Sequence, residues 1–286
     1  MTERSAAEEQ KWDLIIGEQG KFFSLNLRDI WRFRDLLVMF VKRDIVTVYK
    51  QTILGPIWFV IQPIFTSLTY MIIFTRMAKI GTDEISPILF YLAGVTMWNY
   101  FSETLNVTSK TFIENASIFG KVYFPRVIIP LSKIISGLIK YLIQFALFLI
   151  VLAYNFIVKG NVHPNAAVLL LPVLLLLMAF MSFGIGLIIT SMTTKYRDLT
   201  FLITFGISLF MYLTPVIYPA SKFANYRYIL NLNPLTSIFE TFKYGFLGKG
   251  EFNIMWLGYT ALFTLVVTVY GMAVFNKIEK KFIDTV

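Results

Sequence analysis

Side chains able to do chemistry are few in this sequence, and their spacing excludes most reactions. The one histidine, His163, stands beside Pro164 with no second ligand candidate near it, so a zinc-type donor set is missing. Cysteine is absent, which removes thiolate metal ligands and a disulfide framework and leaves the redox compartment open. The pairs Gly120-Lys121 and Gly248-Lys249 are followed by Val122 and Gly250 and lack the earlier glycine. Neither is therefore the G-x-x-x-x-G-K-[ST] loop that cradles ATP phosphates. Carboxylates on the outer side reduce to Asp83, Glu84, Glu240 and Glu251, thin material for glycosyl or phosphoryl transfer. The chain is expected to be no enzyme. What remains is a pair of charges inside apolar stretches, Glu103 and Lys140, which are costly to bury unless paired or hydrated. At about 1.5 Å rise per residue both fall about 5 to 10 Å above the inner hydrocarbon boundary. They are expected to pair or to face one water-filled cavity; the plain alternative is that Lys140 snorkels to the interface. Aromatic residues crowd the same stretches, among them Tyr70, Tyr91, Trp98, Tyr100 and Tyr212. Such rings suit the flat C–H faces of sugars, while aromatic belts and ordinary packing explain them equally simply.

The elements that must position these residues are membrane helices. Six apolar stretches, Ile57 to Phe74, Pro87 to Val107, Ile134 to Val158, Ala166 to Met192, Leu199 to Ile217 and Ile254 to Phe275, approach the length of about 20 residues that a hydrocarbon core of about 30 Å demands. Hydrophobic residues make up 57% and charged ones only 15%, with a mean hydropathy of +0.67, so the apolar surplus faces lipid. Backbone amides in lipid must be satisfied within the segment, which selects helices over open sheet. The fold class expected is all-α, a polytopic membrane protein with six transmembrane helices. The net charge of +9 does not imply nucleic acid, because the charges are polarised. With the N-terminus inside, eighteen Lys and Arg lie on the cytoplasmic side and seven on the other, which places both termini in the cytoplasm. Residues Met1 to Gly20 lack the apolar core of a cleaved signal peptide.

The connections carry their own patterns. Leu25 to Gln51 alternates apolar Ile30, Phe33, Leu37, Phe40 and Val41 with basic residues near a helical period, as an amphipathic helix on the inner surface does. Thr111 to Gly120 reads as a short amphipathic helix in water, with Phe112, Ile113, Ala116 and Phe119 on one face and either the membrane or a partner groove as its cover. The loop Thr193 to Asp198 is a short charged turn. Tyr218 to Asn253 is too long for a turn and too apolar for a solvated loop; within it Asn233 suits an N-cap, Pro234 the first helical position, and Gly245 or Gly248 the stop. Its stripe of Leu235, Ile238, Phe239, Phe242 and Phe246 cannot span, so this helix is expected to dip into the outer leaflet or to pack on the protein. Three parts follow: 1–55, a tail and interface helix; 56–276, the transmembrane part, holding 111–120 and 218–250; and 277–286, a C-terminal tail.

Certain runs resemble a known family. Arg43-Asp44, Tyr49-Lys50-Gln51-Thr52-Ile53-Leu54-Gly55-Pro56-Ile57-Trp58 and Gln62-Pro63 resemble the start of permease subunits of bacterial ATP-binding-cassette polysaccharide exporters, which move O-antigen, teichoic acid or capsule chains. Lys121-Val122-Tyr123-Phe124-Pro125-Arg126, Tyr196-Arg197-Asp198, Thr214 to Pro219 and Asn231-Leu232-Asn233-Pro234 follow in family order. The resemblance implies a homodimer in the bacterial cytoplasmic membrane, with the pore between subunits and two copies of a separate cytoplasmic ATPase that bind ATP and Mg²⁺. It implies that Phe112, Ile113, Glu114, Ala116 and Phe119, with Tyr196, Arg197 and Asp198, couple to that ATPase. Arg43, Lys50 and Arg126 would meet the headgroup of a polyprenyl-diphosphate-linked polysaccharide at a cytoplasmic entrance. Tyr70, Tyr91, Trp98, Tyr100, Glu103, Lys140 and Tyr212 would line the channel, and Tyr218, Tyr226, Pro234, Phe239 and Phe242 would belong to re-entrant helices closing the exit. The alternatives are a drug or lipid exporter of the same architecture and a membrane glycosyltransferase.

Overall fold

The computed structural model describes residues 27–50, 55–119, 124–196 and 198–283, and among these every regular element is helical. Expectations that fall on Met1 to Asn26, Gln51 to Leu54, Gly120 to Tyr123, Arg197 and Asp284 to Val286 lie outside the described residues. The described chain begins with α1 (Leu27–Arg32) and α2 (Arg34–Lys50). A 3-10 turn at Gly55–Ile57 leads into α3 (Trp58–Tyr70), which continues as a π-helical stretch to Met77. Then come α4 (Pro87–Thr108), the short α5 (Thr111–Glu114) and α6 (Ala116–Phe119), and α7 (Ile128–Tyr154), which is extended to Lys159. They are followed by α8 (Leu171–Thr193), α9 (Leu199–Phe210), α10 (Arg227–Leu232), α11 (Pro234–Leu247) and α12 (Ile254–Ile283).

Four helical stretches among the described residues are long and apolar enough to cross a membrane: Gly55–Met77, Ile128–Lys159, Ala166–Thr193 and Ile254–Ile278. The two other expected spans differ from these for physical reasons. Helix α4 has the length, at 22 residues, but carries Asn99, Ser102, Glu103 and Asn106 in its second half. The helical stretch Leu199–Leu213 is shorter than the expected Leu199 to Ile217, because Thr214 turns to extended backbone (φ −109°, ψ 141°). Thr214 precedes Pro215, whose ring disfavours the helical conformation one residue earlier. At the other end of the chain, α12 runs on as helix to Ile283, through most of the segment expected as a tail from residue 277.

The core is centred on α4, buried almost without break from Leu89 to Trp98 and enclosed by α3, α7, α8, α9 and α11. A helix with polar residues at membrane depth belongs inside the bundle, since exposing them to hydrocarbon costs several kcal/mol or about that order. The apolar surplus is carried by the outer helices, as at Ile150, Leu176, Phe201 and Met255, all exposed.

Helices α8 and α12 make the closest backbone approach. A Cβ on Gly184 would lie 2.7 Å from the Thr268 backbone, and one on Gly271 would lie 2.4 Å from the Gly184 carbonyl oxygen. Thr268 Oγ1 donates to the Phe180 carbonyl at 2.9 Å across the same seam. Small residues at such a crossing let backbones meet and gain packing that lipid cannot replace. Gly184→Val is therefore expected to separate the two helices and lower the melting temperature of the detergent-solubilised chain by several degrees, whereas Gly206→Val, at a position with open space around it, leaves it unchanged. Equal melting curves would show that the seam tolerates a side chain.

Candidate functional site

The polar residues of the membrane interior gather around one ion pair. Lys140 of α7 donates to the Glu103 carboxylate of α4, so the two charges do meet, with side chains 20% and 38% exposed. The Lys140 ammonium also lies 5.5 Å from the ring centre of Phe59 on α3. Neighbouring α4 and α7 bring them together at matching depth.

Toward α2 from this pair is a cavity of 290 Å³ lined by Arg43, Asp44 and Thr47 of α2, by Glu103 and Thr104 of α4, and by Lys133, Ser136 and Lys140 of α7. Asp44 holds two cations, Arg43 at 3.0 Å and Lys133 at 2.9 Å. The Arg43 guanidinium also sits 4.8 Å over Phe40, which is buried and anchors α2 to the bundle. The amphipathic helix is thus fastened to α7 rather than lying only on lipid. Of the other expected entrance cations, Lys50 is exposed at the end of α2, whereas Arg126 is buried with its guanidinium 5.2 Å over Phe119. Ring packing thus holds Arg126 against the cluster of Phe40, Phe119 and Phe124.

Beyond the pair lies a groove of 330 Å³ walled by Phe59 and Gln62 of α3, by Trp98, Asn99, Ser102, Glu103 and Asn106 of α4, by Gln144 of α7, and by Thr204, Ile207 and Ser208 of α9. Asn99 Nδ2 donates to Gln144 Oε1 at 3.1 Å, and Thr204 Oγ1 to Asn106 Oδ1 at 3.2 Å. Glu103 borders both spaces. The aromatic residues expected to line a channel divide. Tyr91 and Tyr100 are buried in the packed core, Tyr70 is half-buried with its hydroxyl on Met211 Sδ at 3.5 Å, and Trp98 shows only an edge. Tyr212 is exposed. Within one chain, therefore, Tyr91 and Tyr100 fill space between helices instead of forming a wall, because they stand on the packed side of α4, Tyr91 against Tyr70 and Tyr100 against Tyr141 of α7.

After α4, the expected single helix Thr111 to Gly120 is two short ones, separated at Asn115 (φ −116°, ψ 15°). The expectation that its apolar face needs an outside cover is also corrected. Phe112 stacks on Phe275 of α12 at 4.7 Å and packs edge-on against Phe119, and both are buried in the chain's own cluster with Phe124 and Leu187. The Phe112 amide donates to Thr190 Oγ1 at 3.1 Å, which fixes α5 to the end of α8. The surface this leaves outward is Glu114, Ala116 and Ser117, with Ile113 half-buried. Tyr196 and Asp198 are exposed close by in sequence to that end of α8.

At the opposite end the caps of α11 are those the residues dictate. The Asn233 side chain accepts from the Leu235 amide at 3.0 Å, Pro234 takes the first turn, and Gly248 stops the helix with φ 70°. Phe239 and Phe242 are buried, and Phe242 lies 5.5 Å from Phe148 of α7. Pro234 is buried as well, Tyr218 meets Phe223 edge-on at 4.9 Å, and Tyr226 is exposed. The stripe of α11 is thus part of the bundle core, so its removal unpacks the bundle before it opens any path.

Sequence reasoning counted Glu240 and Lys243 as ordinary outer charges and missed that both are buried. They form an ion pair of 3.5 Å one helical turn apart. The Lys243 ammonium donates to the Pro215 carbonyl and lies 4.3 Å over the Phe90 ring. Burial pushes the Glu240 carboxyl up and the Lys243 ammonium down from their ordinary ranges, and each is partly restored by the other. The signal that could have found them is their i, i+3 spacing inside an apolar helix.

Similarity to known proteins places this architecture. A family model described as ABC-2 type transporter matches residues 35–247, which covers α2 through α11. The chain belongs to that family. Among curated proteins it is 26% identical over 252 residues to an O-antigen export system permease protein, RfbA, of Klebsiella pneumoniae, covering 87% of this chain and 94% of that protein. The RfbA permease of Myxococcus xanthus is 24% identical over 221 residues, or 76% and 82% of the two chains. The capsule polysaccharide export inner-membrane protein CtrC of Neisseria meningitidis serogroup B is 21% identical over 257 residues, or 86% and 92%.

Two outcomes test the ion pairs. Lys243→Met leaves the Glu240 carboxyl buried alone and is expected to cost about 3 to 5 kcal/mol of stability, read as a large drop in melting temperature, while Glu240→Met combined with Lys243→Met restores part of it. A single variant as stable as the parent would mean that water reaches the carboxylate. For the partly exposed pair, Glu103→Gln and Lys140→Gln are each expected to reduce transport, and the double variant to be no worse than the stronger single one. Strictly additive losses would show that the two side chains act separately.

Proposed function

We propose that this chain is the membrane subunit of an ATP-driven exporter that moves a polyprenyl-diphosphate-linked polysaccharide, of O-antigen type, across the bacterial cytoplasmic membrane. The observation that carries this reading is the match to O-antigen export permeases over nearly their whole length. In this reading each subunit has six spans, α4 and α9 among them, and both termini in the cytoplasm. Two copies form the pore, and two separate ATPase subunits hold ATP and Mg²⁺. No phosphate loop occurs in the sequence, which agrees with that division of labour.

The headgroup of the substrate would approach the cavity between α2 and α7, where Arg43 and Lys133 offer positive charge for a diphosphate, with Lys50 exposed at the rim. The glycan would then follow the polar residues past Glu103 and Lys140. Coupling to the ATPase would use the outward surface at Glu114, Ala116 and Ser117, beside Tyr196 and Asp198. The buried Phe112 and Phe119 would act behind that surface as the lever joining it to α8 and α12. The segment from Tyr218 through α11 would close the outer end. Nucleotide-driven movement can shift such a path only by the difference in binding between its states.

A second reading, a drug or lipid exporter, is favoured by an apolar groove of 540 Å³ between α3 and α7, lined by Val60, Ile139, Leu142, Ile143, Ala146, Leu147 and Ile150 with no aromatic ring. Deleting the gene in its host separates the two. Loss of surface glycan with lipid-linked glycan accumulating inside supports polysaccharide export; normal surface glycan with altered drug sensitivity or lipid distribution supports the second.

The coupling surface has its own test. Glu114→Arg with Ser117→Arg is expected to cut copurification of the partner ATPase at least tenfold while leaving the melting temperature unchanged. Phe119→Asp is expected to unfold the cytoplasmic end first. Full copurification with the double arginine variant would place the contact elsewhere.

A further inference from the structure

Helix α9 is held unevenly along its length. No residue between Leu199 and Phe210 is buried, and Phe201, Leu202 and Phe205 are each more than half exposed. Its ties to α4 over that length are slight. The Phe210 ring lies 6.4 Å from that of Trp98, and the Thr204 hydroxyl, 3.2 Å from Asn106 Oδ1, has a nearer acceptor in the Thr200 carbonyl at 2.8 Å. A hydroxyl has one proton to give, so it cannot bond α4 and its own helix at once. Just past the helix the chain is gripped instead by α11 and α4, and Thr214 to Ile217 are buried. Asn233, the N-cap of α11, spends both amide protons there, on the Leu213 carbonyl at 3.1 Å and on Thr214 Oγ1 at 2.9 Å. Lys243 of the same helix donates to the Pro215 carbonyl, and the Val216 carbonyl lies against Gly94 of α4, which has no side chain to exclude it. Burying Lys243 with its partner Glu240 is no better for stability than apolar residues of the same volume, so packing alone does not account for the pair. What the ammonium adds is direction, since it bonds one carbonyl in one place.

Resting on the export reading above, we propose that Lys243 and Asn233 are positioning residues for transport, which pin the Leu213 to Val216 end of α9 so that the body of the helix swings about it. Thr204, Ile207 and Ser208 stand on the swinging part and wall the groove beyond Glu103, so the swing changes the width of that groove. Neither Lys243 nor Asn233 touches the groove; both act through the backbone at the end of α9. The bend falls at Thr214, where the chain passes from helix to extended backbone, and element ends are where hinges absorb such changes. Without the pin, a push on α9 displaces the whole helix along with the segment after it and leaves the groove no wider.

The test uses the full chain with its ATPase, exporting a lipid-linked glycan in cells, and exploits the absence of cysteine from the sequence. Asn106→Cys with Thr204→Cys ties the body of α9 to α4 where the two side-chain oxygens lie 3.2 Å apart. At about 1.5 Å per residue this tie is roughly 15 Å along the helix from Thr214, far enough to stop a swing. Export is expected to fall about tenfold when the pair is oxidised and to recover on reduction. Thr204→Cys alone, carrying a methylthio group, fills the same space without the tie and is expected to export several times more than the oxidised pair. Thr214→Cys with Asn233→Cys replaces part of the pin by a covalent bond, and its oxidation is expected to raise export. Glu240→Met with Lys243→Met removes both buried charges together with the hold on Pro215. It is expected to lose about tenfold in export per folded molecule while melting above Lys243→Met alone. The thiol arms do not depend on whether that variant folds. The pin is overturned, with export left standing, by any of four results: export unchanged by the bond between positions 106 and 204, a methylthio group that blocks as well as the bond, export lowered by the bond between positions 214 and 233, or parental export from the double methionine variant. Failure of the parent chain to export the glycan overturns the export reading, and the pin falls with it.

Discussion

Asn99, Glu103 and Asn106 stand on a helix whose other side is packed solid with Met97, Phe101 and Leu105, and this two-sidedness governs the arrangement around it. A helix of that kind cannot face hydrocarbon with its polar side, so α3, α7 and α9 supply the matching polar groups Gln62, Lys140, Gln144, Thr204 and Ser208. The polar side chains are thus distributed over four helices yet drawn to one region. Their mutual satisfaction, amide to amide and ammonium to carboxylate, lowers the cost of keeping them at membrane depth. It also makes a hydrated space compatible with an otherwise apolar bundle.

The same logic organises the end of the bundle at α5 and α6, where aromatic packing replaces hydrogen bonding. Phe40, Phe112, Phe119, Phe124 and Phe275 come from five separate parts of the chain and share one cluster. A displacement of α5 and α6 must be felt by α2 through Phe40 and by α12 through Phe275, because close-packed side chains transmit strain instead of absorbing it. Since α2 also contributes Arg43 and Asp44 to the basic cavity, a push on the short helices reaches the groups that would meet a charged headgroup. The physical connection is continuous from the outward face at Glu114 to the cavity wall.

Much of this was legible in the residues. Apolar length identified the membrane class and four of the spans, and the depth of Glu103 and Lys140 predicted that they would share one environment. Asn233, Pro234 and Gly248 marked the ends of α11 because capping is local chemistry. What failed was tertiary. A helical period shows which residues share a face but not what covers that face, so Phe112 and Phe119 were assigned an outside partner although Phe275, more than 150 residues away, stacks on one of them. Tyr91 and Tyr100 looked like channel walls for the same reason; nothing local reveals that α4 is enclosed. The charge of Arg126 was legible in the same way, but the packing of its guanidinium on Phe119 was not.

The outer end shows how far such hidden contacts reach. Thr214 leaves the helix because Pro215 follows, and this frees the Pro215 carbonyl from any helical partner. Lys243 takes that carbonyl, and Glu240 balances the charge that has been buried to do so. From the other side, Gly94 of α4 lets the Val216 carbonyl approach so closely that an added Cβ would sit 2.6 Å from it. The Thr214 to Pro219 segment is therefore gripped between α11 and α4 by a lysine and a glycine. A buried pair contributes less to net stability than well-packed apolar residues of the same volume often would. Its advantage lies in being directional: the ammonium satisfies one carbonyl in one position, so any movement of the segment that breaks this contact leaves two charges and a carbonyl unsatisfied together. The segment is thereby tied at Gly94 to α4, the same helix that carries Glu103.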